Sequence, residues 1–172
     1  MIQKAISNLP RNLLQTLQLL SQAGRPETIV PAARAESREY DAYFFSSGKQ
    51  MVEYRSAKIT PTKTGQFVTL WKRSEKGPIQ PFDSTDSIDL FIIAVRKEDY
   101  FGVFLFPRVV LVEKRILTGI KEGKRAMRVY PPWDNAANKQ AQKTQQWQLE
   151  YFLEVAPDGP ADLERAKKLL NP

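Results

Sequence analysis

Cysteine and histidine are both absent from this chain of 172 residues. Without cysteine no disulfide can form, so the fold rests on packing and a reducing compartment, the cytoplasm, is the expected setting. Zinc sites built from Cys and His are excluded. So are thiol nucleophiles and every mechanism that needs imidazole as its general base, which removes most hydrolase chemistry. Magnesium held by carboxylates survives this elimination. Long apolar runs are missing too. No segment approaches the ~18 consecutive apolar residues of a membrane-spanning helix. Leu13 to Leu20 is broken by Gln15, Thr16 and Gln18, so the N-terminus does not read as a signal peptide. A soluble cytoplasmic protein with no membrane contact is expected.

Acidic residues are scarce where basic ones gather. The chain holds 26 Lys and Arg against 19 Asp and Glu, a net charge of +7. That balance favours an anionic partner, although a basic protein with a merely solvated surface has the same balance. No acidic residue lies from Tyr54 to Ser74, nor from Asn135 to Leu149. Within the first gap, Lys58, Lys63, Lys72 and Arg73 alternate with the hydroxyls of Thr60, Thr62, Thr64 and Thr69 beside Trp71. Such side chains hold phosphate oxygens, and a flat ring can take a base face. The stretch has no nucleophile-base pair, so it suits binding better than bond breaking.

The length suits one domain. A helix is predicted over 8–23, with Asn8 as its cap, Pro10 in its first turn, a stripe of Leu13, Leu14, Leu17 and Leu20, and Gly24 at its end. Residues 25–39 read as a connector interrupted by Pro26 and Pro31, with a helical turn over 32–37. Tyr40 to Phe45 reads as a strand closed by the turn cluster Ser46-Ser47-Gly48. Met51 to Ile59 and Gln66 to Arg73 form a predicted hairpin around Thr60–Gly65, followed by a polar loop over 74–87. Ile88 to Val95 is nearly all apolar, as in a central strand buried on both faces. Gly102 to Phe106 is a further strand, and Pro107 opens a short helix. Arg125 to Tyr130 alternates as a strand, and Asn135 to Gln145 reads as a helix. From Trp147 to Val155 apolar residues recur at every second position, which reads as a strand, with continuation of the helix as the alternative. Pro157 and Gly159 break the chain before a final helix over 161–170.

Four segments together carry a resemblance. They are Glu53 to Lys58 running into Thr60–Arg73; Gly102-Val-Phe-Leu-Phe-Pro107; Gly123-Lys-Arg-Ala-Met-Arg-Val-Tyr-Pro131 with Trp133; and Lys143-Thr-Gln-Gln-Trp-Gln-Leu-Glu-Tyr-Phe152. In order and wording they resemble the MepB family over roughly residues 40–155. Arg108 stands where Lys is expected, which keeps the charge. Arg115 stands where Gly is expected before Ile116, which bears on how the short helix ends. The resemblance implies a cytoplasmic bacterial α+β protein that interacts with nucleic acid, related in shape to nucleases. The expected fold is a single domain with a central mixed, largely antiparallel sheet flanked by N-terminal and C-terminal helices. The expected division is 1–39 for helix and connector, 40–156 for the core and 157–172 for a helical tail.

The candidate phosphate contacts are Arg55, Lys58, Thr60, Lys63, Lys72, Arg73, Lys124, Arg125, Arg128 and Lys143. If the hairpin and the 125–130 strand share a sheet face, these cations converge on one groove; otherwise they are solvated charge. Trp133, Tyr130 and Trp71 are the stacking candidates, Trp133 being expected as exposed because it follows two prolines, although a strand Trp usually belongs to the core. Gln140, Gln145 and Gln148 could meet base edges or simply solvent. The first expectation is therefore a non-enzymatic protein that binds DNA or RNA through a basic groove, with no metal and no cofactor. The alternatives are a magnesium-dependent nuclease using Glu53, Asp86 and Asp89, and a pocket for a nucleotide or small anion at Thr60–Gly65, which lacks the glycines of a Walker loop.

Overall fold

The computed structural model describes residues 2–25, 30–157 and 162–171. In chain order it contains α1 (Ile2–Ser7), α2 (Arg11–Gln22), β1 (Ala32–Ala33), a 3-10 turn at Arg38–Tyr40, β2 (Tyr43–Ser47) and β3 (Gln50–Ser56). There follow β4 (Lys58–Ile59), β5 (Gln66–Thr69), β6 (Trp71–Arg73), β7 (Ile79–Pro81), β8 (Leu90–Lys97) and β9 (Tyr100–Pro107). The chain closes with α3 (Arg108–Glu113), β10 (Ala126–Val129), α4 (Lys139–Leu149), β11 (Phe152–Glu154) and α5 (Leu163–Leu170). Six strands form the central sheet in the order β1-β2-β3-β8-β9-β11. Only β3 and β8 run parallel; the other neighbours are antiparallel. This is the α+β domain with a mixed, largely antiparallel sheet that the pattern predicts.

The apolar run of β8 explains the layering. Successive strand side chains point to opposite faces, and both faces of β8 are covered. Leu90, Ile92 and Ala94 join one core with Leu13 and Leu20 of α2 and Ala166 and Leu170 of α5. Phe91, Ile93 and Val95 join a second core with Val68, Leu70, Met127 and Val129. The sheet thus separates a helical side from a side closed by a second, three-stranded sheet in the order β10-β5-β4.

Several expectations shift. Pro10, not Asn8, holds the N-cap position of α2, and the residues before it form the separate α1. Gly24 ends α2 as predicted: its φ is +92°, and Arg25 N–H reaches back to the Leu20 carbonyl at 2.9 Å. Of the 32–37 segment, Ala32 and Ala33 pair with the free edge of β2, where they gain ladder partners, and only residues 36–37 turn, leading into the 3-10 helix at Arg38–Tyr40. The long hairpin is cut short. The chain changes sheets at Ala57, so of the first predicted hairpin strand only β4 pairs with β5, while β3 lies beside β8 with Val52 opposite Leu90. The polar loop contains β7, paired with β6. The helix predicted over 135–145 runs over 139–149, since Asn138 caps it by accepting the Ala141 N–H at 2.8 Å. Trp147 and Leu149 are therefore helical, and the strand begins only at Phe152. The predicted breakers Pro26 and Gly159 and the start of the last helix at Ala161 lie outside the described residues.

Candidate functional site

Pairing sets the floor of the site. Arg128 of β10 lies opposite Phe67 of β5, and Phe67 opposite Lys58 of β4, so these three share one face. Val68, Met127 and Val129 take the other face and enter the core. β10 is an edge strand, and α4 covers that edge. Gln148, fully buried, acts as the missing neighbour strand: its Oε1 accepts the Tyr130 N–H at 2.8 Å and its Nε2 donates to the Arg128 carbonyl at 2.9 Å. Gln145 Nε2 donates to the carbonyls of Pro131 at 3.0 Å and Asp134 at 2.9 Å. The Gln148 amide is thus fully spent on the strand edge, and Gln145 holds the helix through its Nε2. Gln148 follows Ala141 by seven residues and so shares its helix face.

Between the strand face and α4 opens a trough of about 520 Å³, lined among others by Lys63, Lys114, Lys124, Arg128, Tyr130 and Trp147. Shared lining residues continue it to Thr62 and Thr64 at one end and to Lys143 at the other. The Thr60–Gly65 loop forms its rim. Gly65 has φ +82°, and a Cβ there would stand 2.7 Å from Cε1 of Tyr130, so only glycine lets the loop sit against that ring. Thr60 positions a cation: its hydroxyl accepts from Arg128 Nη2 at 2.9 Å. Lys63, Lys114, Lys124 and Arg128 form no ion pair with a carboxylate of the described residues. Glu150 enters only at the far end, beside Lys143.

The other predicted cations lie elsewhere. Arg55, Trp71, Lys72 and Arg73 line a cleft of about 680 Å³ that shares no lining residue with the trough. The groove expected for all of them is therefore divided, because β3 joins the central sheet and β6 leaves β5 to pair with β7, both away from the β10-β5-β4 face. In the cleft the positive charge is largely neutralised. Glu53 is fully buried between two guanidiniums, with Arg55 Nη1 at 2.7 Å from its Oε2 and Arg34 on its Oε1. Burial pushes the Arg55 guanidinium pKa down, and the adjacent Glu53 opposes that shift. Lys72 Nζ binds both oxygens of Asp86, at 2.5 and 2.7 Å, and stands 3.9 Å from Asp83. The Thr85 hydroxyl and N–H, with Lys72, hold the Asp83 carboxyl below its ordinary pKa. Asp89 accepts the Met51 N–H at 2.8 Å. Glu53, Asp86 and Asp89 thus each have a structural partner, and no three acidic residues gather to hold a metal among the described residues.

Three further candidates are engaged outside the trough. Lys58 Nζ lies over the Tyr40 ring at 5.2 Å, and Arg125 pairs with Glu122 at 3.2 Å. Trp133, expected as exposed, is half-buried and stacks on Tyr100 with centroids 5.4 Å apart, its edge against Phe152. Conversely, Lys114, which no sequence signal marks, and Trp147, expected in a strand, both line the trough. Lys114 Nζ sits 5.4 Å over the Trp147 ring. Its place is set by the end of α3, where the Ile116 N–H returns to Leu111 and the Arg115 N–H to Val112. Arg115 takes φ +59°, the left-handed residue of that motif, so the helix keeps a glycine-type ending without the glycine. The Asn138 cap was the readable signal for Trp147, since it moves α4 four residues along.

A family model described as MepB-like matches residues 34–154. The crystal structure of MepB is 39% identical, with a TM-score of 0.73, covering 85% of this chain and 99% of that one. A bacterial homing endonuclease matches at 15% identity and a TM-score of 0.39, over 77% of this chain and 86% of that one, too distant to carry an argument. No curated protein matches.

Proposed function

This chain belongs to the MepB-like family, and from that premise we propose that it binds nucleic acid along the trough without cutting it. The observation that carries the reading is a continuous channel whose cations lack carboxylate partners among the described residues, while Arg34, Arg55 and Lys72 of the neighbouring cleft are paired. Lys63, Lys114, Lys124, Arg128 and Lys143 neutralise successive phosphates, Thr62 and Thr64 offer hydroxyls at the rim, and Tyr130 and Trp147 offer rings to bases. Arg55, Lys72 and Arg73 take no part in backbone contact. The carboxylates that a metal-dependent nuclease would need are committed to ion pairs and main-chain N–H groups. Among the described residues no helix is long and apolar enough to cross a membrane. The proposed setting is the cytoplasm, where a fold without cysteine loses nothing to reduction.

Fluorescence anisotropy with labelled single-stranded DNA, duplex DNA and RNA, over a salt series, tests this. Five phosphate contacts give a slope of log K against log salt of about −4.5 on duplex and about −3.5 on single strands. Absence of binding to all three at low salt, or binding indifferent to salt, would falsify the reading.

A further inference from the structure

The cleft beside β3 holds a cation that its own charge pairs do not satisfy. Arg55 is 1% exposed and lines the cleft, yet its guanidinium spends only Nη1, on Glu53 and on the Tyr54 carbonyl. Its Nε is buried and meets no acceptor among the described residues. An unsatisfied donor on a buried cation is costly, and the Nε–Nη2 edge of a guanidinium is shaped to take two oxygens of one anion. Charge around it points the same way. Glu53 is shared between Arg34 and Arg55, which leaves one positive charge on that triad. Lys72 is matched by Asp86, while Arg73 forms no ion pair with a described carboxylate and rests over the Trp71 ring at 5.8 Å. Of the lining carboxylates, Glu36 alone then stands against these charges.

The walls are flat and apolar. Trp71, Phe82 and Phe44 line the cleft, with the guanidinium of Arg55 5.8 Å from the Phe82 ring and that of Arg34 4.5 Å from the Phe44 ring. The volume of about 680 Å³ suits a small molecule and lies within the usual range for ligand sites. We propose that this cleft binds a small aromatic oxyanion, a phosphate or carboxylate joined to a flat ring, with Arg55 and Arg73 on the anion and Trp71 on the ring. The site is independent of the trough, so either assignment can fail alone.

Isothermal titration calorimetry on the full chain tests it with four probes: adenosine monophosphate, benzoate, adenosine and inorganic phosphate. Saturable binding of adenosine monophosphate or benzoate, tighter than that of adenosine and inorganic phosphate, is expected, and the better of the two identifies the head group. Arg73→Ala, at an exposed position, should weaken that binding about tenfold or more. Arg55→Lys should do the same, keeping the charge while losing the fork; if it does not fold, Arg73→Ala and Trp71→Leu carry the test. The K63A/K114A/K124A protein, altered only in the trough, should bind the probe as wild type does. Equal binding of adenosine, equal binding of inorganic phosphate, no saturable binding of either aromatic anion, or loss of it in the trough variant would each overturn the proposal.

Discussion

The trough and the cleft are both basic, yet they treat charge in opposite ways. In the trough, Lys63, Lys114 and Lys124 are exposed and lack carboxylate partners among the described residues. In the cleft, Arg55 is buried against Glu53, and Lys72 is half-buried against Asp86. Solvent accounts for the difference. An exposed ammonium keeps its hydration and needs no partner, so it is available to a phosphate chain and its counterions. A buried cation must be paired, because desolvation would otherwise exceed any gain. Positive residues counted along a sequence thus divide into those that hold the fold and those that can hold a polyanion.

The comparison can be broken or sharpened by experiment. The largest expected effect is Glu53→Gln. It leaves Arg34 and Arg55 facing each other with no anion, and the cost should be about 3–5 kcal/mol of stability, read by urea unfolding. The salt slope of nucleic-acid binding should stay as in wild type at temperatures where the variant is folded. Next, K63A/K114A/K124A should flatten that slope by about 2.7 units on duplex, with stability changed by no more than about 0.5 kcal/mol per site. A slope that flattens instead in a K72A/R73A protein would reverse the roles of the two sites.

Gln148→Leu comes third. It orphans the Tyr130 N–H and the Arg128 carbonyl, a loss of about 1–3 kcal/mol, and loosens α4 against β10 so that binding weakens with it. Arg115→Gly should stabilise the chain by about 1 kcal/mol, since glycine takes the left-handed conformation without strain. The smallest effect concerns acid. Asp83 titrates lower folded than unfolded, so its contribution is present above the ordinary carboxylate pKa and is lost as pH falls through the folded value. Asp83→Asn should reduce the acid sensitivity of unfolding. No carboxylate of the described residues pairs with the trough lysines, so nucleic-acid binding should show no matching change.

Much of the frame was readable from the residues. The run from Ile88 to Val95 announces a strand covered on both faces, because past Asp89 no polar side chain interrupts it from Leu90 to Val95. The gaps in acidic residues point to free cations only in part: Lys63 and Lys143 reach the trough, whereas Arg55 and Lys72, from the first gap, pair with carboxylates outside it. The partition of the remaining cations was not readable. Glu53 and Arg55 sit in a strand whose alternation allows an exposed face, and only the parallel pairing with β8 and the cover beyond it bury them. Trp147 looked like part of a strand because period two and a helix interior overlap over a few residues; the Asn138 cap decides the matter. Gln148 offers no local clue, since its amide gains meaning only beside an unpaired strand edge.

By itself, the chain determined its chemistry: no thiol or imidazole, a surplus of cations, a central apolar strand and the helix ends at Gly24 and Asn138. These follow from side-chain type and local backbone preference, which act over a few residues. Which cations stand free and which are locked to carboxylates was decided only when β3 left the hairpin for the central sheet and α4 closed on β10. Those pairings join residues far apart in sequence, and their energies depend on burial, a property that the order of residues does not contain.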